Sequence, residues 1–123
     1  MPRILSVEDD VDLQQVIAYA LKKKGWEIVY AYDGNDGLEK AKELRPDLIL
    51  LDMMLPGLNG VQIIEELKKS VSTQAIPIIV MTAYPSDAQF MANAVLALGA
   101  VEYLAKPVHI DDLVTTIERN LRK

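Results

Sequence analysis

The sequence places its chemically active side chains at the ends of short apolar runs. These side chains are the acidic triplet Glu8-Asp9-Asp10, then Asp52, Thr82 and Lys106. A carboxylate that ends a buried strand is held rigidly by the sheet and still reaches solvent at the sheet's edge. Carboxylates that meet at such an edge repel one another, so the cluster requires a cation or a proton.

The combination of side-chain types indicates phosphoryl transfer. Oxygen ligands without His or Cys favour Mg²⁺ over zinc. A hard divalent ion, a carboxylate nucleophile at Asp52, an ammonium at Lys106 and a hydroxyl at Thr82 can together transfer a phosphoryl group to an aspartate. Taken singly, Asp9 or Asp10 could instead cap a helix. Thr82 could be an ordinary strand-end hydroxyl, and Lys106 an ordinary surface lysine.

Short runs rich in Ile, Val and Leu predict the strands that carry these residues. Their length and composition suit strands buried on both faces of a parallel sheet. The runs lie at 4–7, 28–31, 48–51, 78–81 and 101–104.

Helical patterns alternate with these runs. Three of them repeat apolar residues every three or four positions, and Asn59 predicts the N-cap of the third helix. The second helix is predicted over 36–44 and the fourth over 86–98. The three apolar stripes are Leu13, Val16, Ile17, Ala20 and Leu21; Ile63, Ile64, Leu67 and Val71; and Ile110, Leu113, Val114, Ile117 and Leu121.

This alternation predicts an α/β fold, a doubly wound five-stranded parallel sheet with five helices and right-handed crossovers. We expect one domain over 1–123. In such sheets ligands bind beyond the carboxyl ends of the strands, where the strand order reverses. The acids, the hydroxyl and the ammonium would therefore meet there.

Composition excludes several classes of function. The 123 residues carry a net charge of −5 and include no cysteine. Without a basic run, direct nucleic-acid binding is not expected. Without cysteine, disulfides and thiolate chemistry are excluded, and no apolar run has the length of a membrane span. We expect a cytoplasmic protein that does not associate with membranes.

Several motifs, in their order and spacing, resemble those of the receiver domains of two-component response regulators. They are Val7-Glu8-Asp9-Asp10, Leu51-Asp52-Met53-Met54-Leu55-Pro56-Gly57, Asn59-Gly60, Met81-Thr82-Ala83-Tyr84 and Glu102-Tyr103-Leu104-Ala105-Lys106-Pro107. The resemblance covers the whole chain. It implies a flavodoxin-like sheet with strand order 2-1-3-4-5 and a cis peptide bond between Lys106 and Pro107.

The resemblance also implies a magnesium-dependent phosphoacceptor. Asp52 would accept the phosphoryl group, and Lys106 would pair with it. Asp9, Asp52 and the main-chain carbonyl of Met54 would ligate Mg²⁺ directly, and Glu8 would act through a bound water.

Further residues would read out or tune the modification. By the resemblance, the Thr82 hydroxyl moves to bond the phosphoryl group, and Tyr103 then rotates inward as the switch residue. Met54 and Tyr84 would flank the phosphoryl group and modulate its lifetime. Because neither side chain can activate a water, we expect that lifetime not to be especially short.

The implied partners are a donor and a reader. The donor would be a histidine kinase or a histidine phosphotransfer protein. The reader would be an output domain or partner protein that recognises the face formed by the fourth helix, the fifth strand and the fifth helix. Residues 88–101 include no charged side chain, which leaves open either deep packing of the fourth helix or an interface, including a homodimer.

Other functions remain to be weighed against this signalling switch, which turns over no separate substrate. An aspartyl-phosphate phosphohydrolase commonly has a second acid two residues after its nucleophile, and Met54 stands there. A flavodoxin-like cofactor carrier needs a phosphate-binding loop after the first strand, where Glu8-Asp9-Asp10 would repel phosphate. A phosphorylation-independent pseudo-receiver, acting only as an interaction module, is the remaining alternative.

Overall fold

Strands and helices alternate strictly along the chain. The computed structural model describes residues 1–53, 55, 59–82 and 88–121, with 88–92 described by their backbone alone. The strands are β1 (Arg3–Val7), β2 (Glu27–Ala31), β3 (Leu48–Asp52), β4 (Ile78–Thr82) and β5 (Glu102–Ala105). The helices are α1 (Val11–Lys23), α2 (Gly34–Leu44), α3 (Gly60–Lys69), α4 (Ala88–Leu98) and α5 (Ile110–Leu121).

The strands form one parallel sheet in the order β2-β1-β3-β4-β5. This confirms the predicted fold and strand order. The chain builds β2 on one side of β1 and then crosses to place β3 on the other side. The order therefore reverses between β1 and β3, and this is where a doubly wound sheet binds its ligands.

Helices cover both faces of the sheet, which explains why the strands are continuous apolar runs. One core cluster lies under α2, α3 and α4 and includes Leu5, Ile49 and Ile64. The other lies under α1 and α5 and includes Ile17 and Leu113. Every residue of β3 and β4 is buried.

The helix starts follow from their capping residues. Asp10 caps α1, and its side chain accepts hydrogen bonds from the main-chain N–H groups of Asp12 and Leu13. Asn59 caps α3 in a reciprocal capping box with Gln62, as predicted. The helix α2 begins at Gly34, two residues before the predicted start at 36.

Two residues of the predicted apolar stripes are exposed instead. Val71 is 85% exposed, because α3 ends at Lys69 and the chain turns there, with the Thr73 hydroxyl donating to the carbonyl of Leu67. Val16 is 49% exposed, whereas Gln14 on the same helix is 1% exposed. The buried face of α1 is therefore rotated from the predicted stripe toward Gln14.

Over residues 93–98, the helix α4 is buried on one side and exposed on the other. Val95 is buried, whereas Leu96 is 43% exposed and Asn93 and Ala97 also face outward. Deep packing, one of the two alternatives for this uncharged helix, is therefore not found over residues 93–98. Across the described parts of the chain, every helix is too short or too polar to cross a membrane.

Candidate functional site

The carboxyl ends of β1, β3 and β5 bring the predicted residues to one point. Val7 pairs with Leu51 across the β1–β3 ladder, so Glu8 and Asp52 leave neighbouring strands at the same level. Thr82 ends β4 and pairs with Ala105 of β5, which places Lys106 just beyond that pair. The peptide bond between Lys106 and Pro107 is cis, as expected.

Three carboxylates converge at this edge. Glu8, Asp9 and Asp52 each offer an oxygen, and these oxygens all lie within 4.8 Å of one another. Glu8 is fully buried and Asp52 is 2% exposed, whereas Asp9 is exposed. The expectation that Asp52 reaches solvent freely is therefore wrong, because Lys106 lies against it.

Lys106 is the cation of the site. Its Nζ atom lies 2.8 Å from Glu8 Oε1 and 3.2 Å from Asp52 Oδ2. Burial alone would lower the pKa of Lys106, but its hydrogen bond to Glu8 and the charges of Asp52 and Glu8 outweigh burial and raise it. The ammonium is therefore fully charged at neutral pH, and it balances one of the carboxylates.

Within this cluster, the pKa of Glu8 is raised. Burial raises the pKa of Glu8 to about 7, against the lowering effect of its hydrogen bonds to Lys106 and to the main-chain N–H of Asp10. The nearby charge of Asp52 adds to the rise. One ammonium does not fully balance three acids. Without a further cation, Glu8 is therefore partly protonated near neutral pH.

The three acids of Glu8-Asp9-Asp10 have different roles: Asp10 caps a helix, and Glu8 and Asp9 belong to the carboxylate group. Asp10 Oδ1 accepts from the main-chain N–H groups of Asp12 and Leu13 at 3.0 and 3.2 Å, so Asp10 is a helix cap. The Asp10 main-chain N–H donates to Glu8 Oε2 at 3.0 Å. Of the two capping alternatives the structure thus selects Asp10, and Asp9 lies with the other acids.

The donor set fits a small divalent cation. All three groups are carboxylates, which are the ligands that Mg²⁺ prefers. Three carboxylates converge here and one ammonium, that of Lys106, contacts them, so a divalent ion would supply the positive charge that the described residues lack. Glu8, Asp9 and Asp52 are the described residues that would hold it.

Thr82 and Tyr103 lie on β4 and β5, the strands beyond β3 in the sheet. Thr82 is 2% exposed, and its hydroxyl has no hydrogen-bond partner among the residues that the structure describes. Tyr103 is half-buried and packs against the cluster under α2, α3 and α4. A buried hydroxyl without a partner is free to bond a new acceptor at this edge.

Two predicted residues lie outside the described part of the chain. They are Met54, with its carbonyl as a metal ligand and its side chain as a modulator, and Tyr84, the second modulator. Their roles stay predictions.

Gln14 is a buried residue near the site that was not predicted from the sequence. This side chain is 1% exposed, and its amide nitrogen donates to the carbonyls of Ser6, Glu8 and Ala31. The signal was its position, three and four residues before the buried Ile17 and Ala18. The predicted stripe consists of apolar residues alone and therefore does not include it.

Comparison with known proteins identifies the family. Residues 4–118 match the family model of the response regulator receiver domain, and the chain belongs to this family. Receiver domains are signalling modules and do not turn over a separate substrate.

Solved structures of response regulators are similar over almost the whole chain. A putative response regulator from Chloroflexus aurantiacus has a TM-score of 0.91 at 27% identity and covers 99% of this chain and 98% of its own. The chemotaxis response regulator CheY4 of Vibrio cholerae has a TM-score of 0.87 at 27% identity, covering 98% of each chain. NtrX from Brucella abortus has a TM-score of 0.87 at 29% identity; the match covers 98% of this chain but 26% of NtrX.

Proposed function

We propose that this receiver domain stores a signal as a phosphoryl group on Asp52 and presents a changed surface to a partner. The observation that supports this best is the position of Lys106. Its ammonium contacts both Asp52 and Glu8 at the edge where the strand order reverses. It thus lies where it can pair with oxygens of a group carried by Asp52.

The proposed reaction is a transfer from phosphohistidine to aspartate. An Asp52 carboxylate oxygen attacks phosphorus, and the bond between phosphorus and the donor's imidazole nitrogen breaks. The imidazole leaves with that electron pair and takes up a proton. The donor is a histidine kinase or a histidine phosphotransfer protein, which places the proposed reaction in the cytoplasm, where ATP supplies the phosphoryl group.

The surrounding residues would hold charge in place during the transfer. Mg²⁺ would be held by Asp9, Asp52 and the carbonyl of Met54, with Glu8 acting through water, and when bound it neutralises phosphoryl oxygens. The ammonium of Lys106, which now contacts the Asp52 carboxylate, would pair with the phosphoryl oxygens after the transfer. Because the acids and Lys106 are already grouped before the donor arrives, they need little reorganisation during the reaction.

The switch would start at Thr82. A phosphoryl group brings strong acceptor oxygens to the edge of the sheet. The Thr82 hydroxyl would turn to donate to one of them, and Tyr103 would then rotate toward the space that Thr82 leaves. The face formed by α4, β5 and α5 would change its shape for an output domain or a partner protein, or for a second copy of this chain.

The other functions receive less support. A phosphohydrolase would need a second acid where Met54 stands. A pseudo-receiver would not need the grouped acids and Lys106. Keeping Glu8 buried among them raises its pKa, which lowers stability at neutral pH. We propose one receiver domain over 1–123, in which Asp52 carries the function.

Intact-protein mass spectrometry tests the proposal. The chain is incubated with acetyl phosphate and Mg²⁺, beside Asp52→Ala and the charge-matched control Asp111→Asn in the exposed first turn of α5. Wild type and Asp111→Asn should each gain one phosphoryl mass, and Asp52→Ala should gain none. A wild type without the added mass, or an Asp52→Ala variant with it, would reject the proposal.

A further inference from the structure

Gln14 is a buried polar side chain that the proposed phosphoryl transfer does not use. Its Nε2 atom lies 2.9 Å from the carbonyl oxygen of Ser6, 3.1 Å from that of Glu8 and 3.2 Å from that of Ala31. All of these neighbours are acceptors, so the amide must turn its nitrogen toward them. Gln14 thus connects α1 to the ends of β1 and β2.

The contact with the Glu8 carbonyl occurs where the ladder of the sheet stops. The Glu8 main-chain N–H still donates to the Ala31 carbonyl at 3.0 Å, but the Glu8 carbonyl lies beyond the end of β1. Gln14 supplies its donor. The Glu8 main chain is thereby held at both of its polar groups, and the direction of the Glu8–Asp9 peptide is fixed.

The oxygen of the same amide accepts no hydrogen bond from the described residues. Gln14 Oε1 is buried and has no hydrogen-bond partner within the described residues. A half-paired buried amide is less stable than an apolar side chain of the same size. Packing alone would therefore favour Met or Leu at position 14, and the amide needs another explanation.

We propose that Gln14 is a positioning residue of the cation site. By holding the Glu8 main chain, its amide keeps the carboxylates of Glu8 and Asp9 directed at the point that Asp52 also faces. This inference rests on the proposed function, which gives these acids a cation to bind. Gln14 acts only through Glu8 and Asp9 and contacts neither cation nor phosphoryl group.

The test compares Gln14→Met with Ile17→Met, a buried substitution one turn along the same helix. Isothermal titration with Mg²⁺ should show affinity weakened about tenfold in Gln14→Met, as expected when a metal site loses a supporting outer-shell hydrogen bond. Ile17→Met should bind like wild type. At saturating Mg²⁺ the phosphorylation rate of Gln14→Met should return to near the wild-type rate, since Asp52 and Lys106 are unchanged.

A second measurement needs no cation. Hydrogen exchange at the Asp10 N–H, which donates to Glu8 Oε2, should be faster in metal-free Gln14→Met than in wild type and unchanged in Ile17→Met. Gln14→Leu should repeat both results. Wild-type Mg²⁺ affinity and exchange in both Gln14 variants would overturn the inference, and so would their failure to fold, which would show that the amide is structural.

Failure of the proposed function would look different. A wild type that binds Mg²⁺ but accepts no phosphoryl group would overturn the proposed function, and the affinity ratio of the variants would still decide the role of Gln14. A wild type that does not bind Mg²⁺ would overturn both.

Discussion

The turn at Glu8-Asp9-Asp10 lies at the carboxyl edge of the sheet, whereas the helix α4 packs on one of its faces, and the two are held by different interactions. The turn is fixed by directional bonds: Glu8 is bonded through its main chain and its side chain, and Asp10 caps α1. Residues 88–101, which include α4, carry no charge. The helix therefore makes no ion pair, and its outer side leaves Leu96 exposed.

This difference separates two parts of the molecule. The turn at Glu8-Asp9-Asp10 with α1 is the fixed half, and α4 is the half that can respond. Hydrogen bonds and ion pairs are lost if their groups move by about an ångström, whereas apolar surfaces can shift against one another at small cost. On α5, which packs on the other face of the sheet, the Arg119 guanidinium donates two hydrogen bonds to Glu102, at 2.9 and 2.6 Å. We therefore expect α4, rather than α1 or α5, to move when Asp52 is modified.

The largest expected effect is on the amide resonances after phosphorylation. With acetyl phosphate and Mg²⁺, the resonances of Thr82, Tyr103 and the described part of α4 should shift more than those of α1 beyond its first turn. Asp52→Asn should abolish these shifts, because no acceptor remains. Equal shifts in α1 and α4 would break the comparison between a fixed and a responsive half.

The stability of the metal-free protein should fall as the pH rises. The pKa of Glu8 is raised from 4.5 to about 7 in the folded protein, so the folded state holds this proton more tightly than the unfolded state does. The free energy of unfolding should therefore fall by up to about 3 kcal/mol between pH 4.5 and pH 7. Urea denaturation at a series of pH values, with a chelator present, measures this free energy of unfolding.

Glu8→Gln is the matched variant for that measurement, since it cannot titrate. Its stability should lack this fall, and saturating Mg²⁺ should remove the fall from wild type, because a cation favours the ionised carboxylate. Parallel pH profiles of wild type and Glu8→Gln would show that the charge of the fixed half is balanced in some other way.

Lys106→Met should slow phosphorylation by a small-molecule donor by about a hundredfold, as expected when one preorganised charge is removed from the reacting group. The rate is read by mass spectrometry at fixed times. Lys69→Met, at an exposed position on α3, is the control and should keep the wild-type rate. A Lys106→Met rate equal to that of wild type would show that Lys106 only balances the buried acids.

The smallest expected effect concerns Glu102 and has the opposite dependence on pH. The hydrogen bond from Arg119 is the main reason that the pKa of Glu102 is lowered, so its stabilisation is present above pH 4.5 and is lost as the pH falls through the lowered pKa. Glu102→Gln should lower the thermal midpoint at pH 7, and the difference from wild type should shrink in acid. Its phosphorylation rate should not change.

The sequence predicted the sheet well because buried parallel strands leave a simple pattern. Predicted and observed strands agree to within one residue at each end, for example 78–81 against Ile78–Thr82. The strand order came from the resemblance. The grouping of Glu8, Asp9, Asp52 and Lys106 followed from the rule that the ends of parallel strands share one edge.

The helix faces were harder to predict. Two overlapping stripes run along α1. The predicted stripe includes Val16, whereas the buried one includes Gln14 and Ala18. Apolar spacing could not distinguish them, because the hydrogen bonds of Gln14 to three carbonyls contribute to the choice. Val71 was misplaced because nothing in its spacing signals that α3 stops at Lys69.

Trp26 gives the molecule an optical reporter of its own. It is the only tryptophan in the sequence, and it is buried in the cluster under α1 and α5. Its emission therefore monitors the layer that carries Gln14, on the opposite face of the sheet from α4. A change in that emission on cation binding would mean that the acidic edge communicates with the core beneath it, without any dye or label attached.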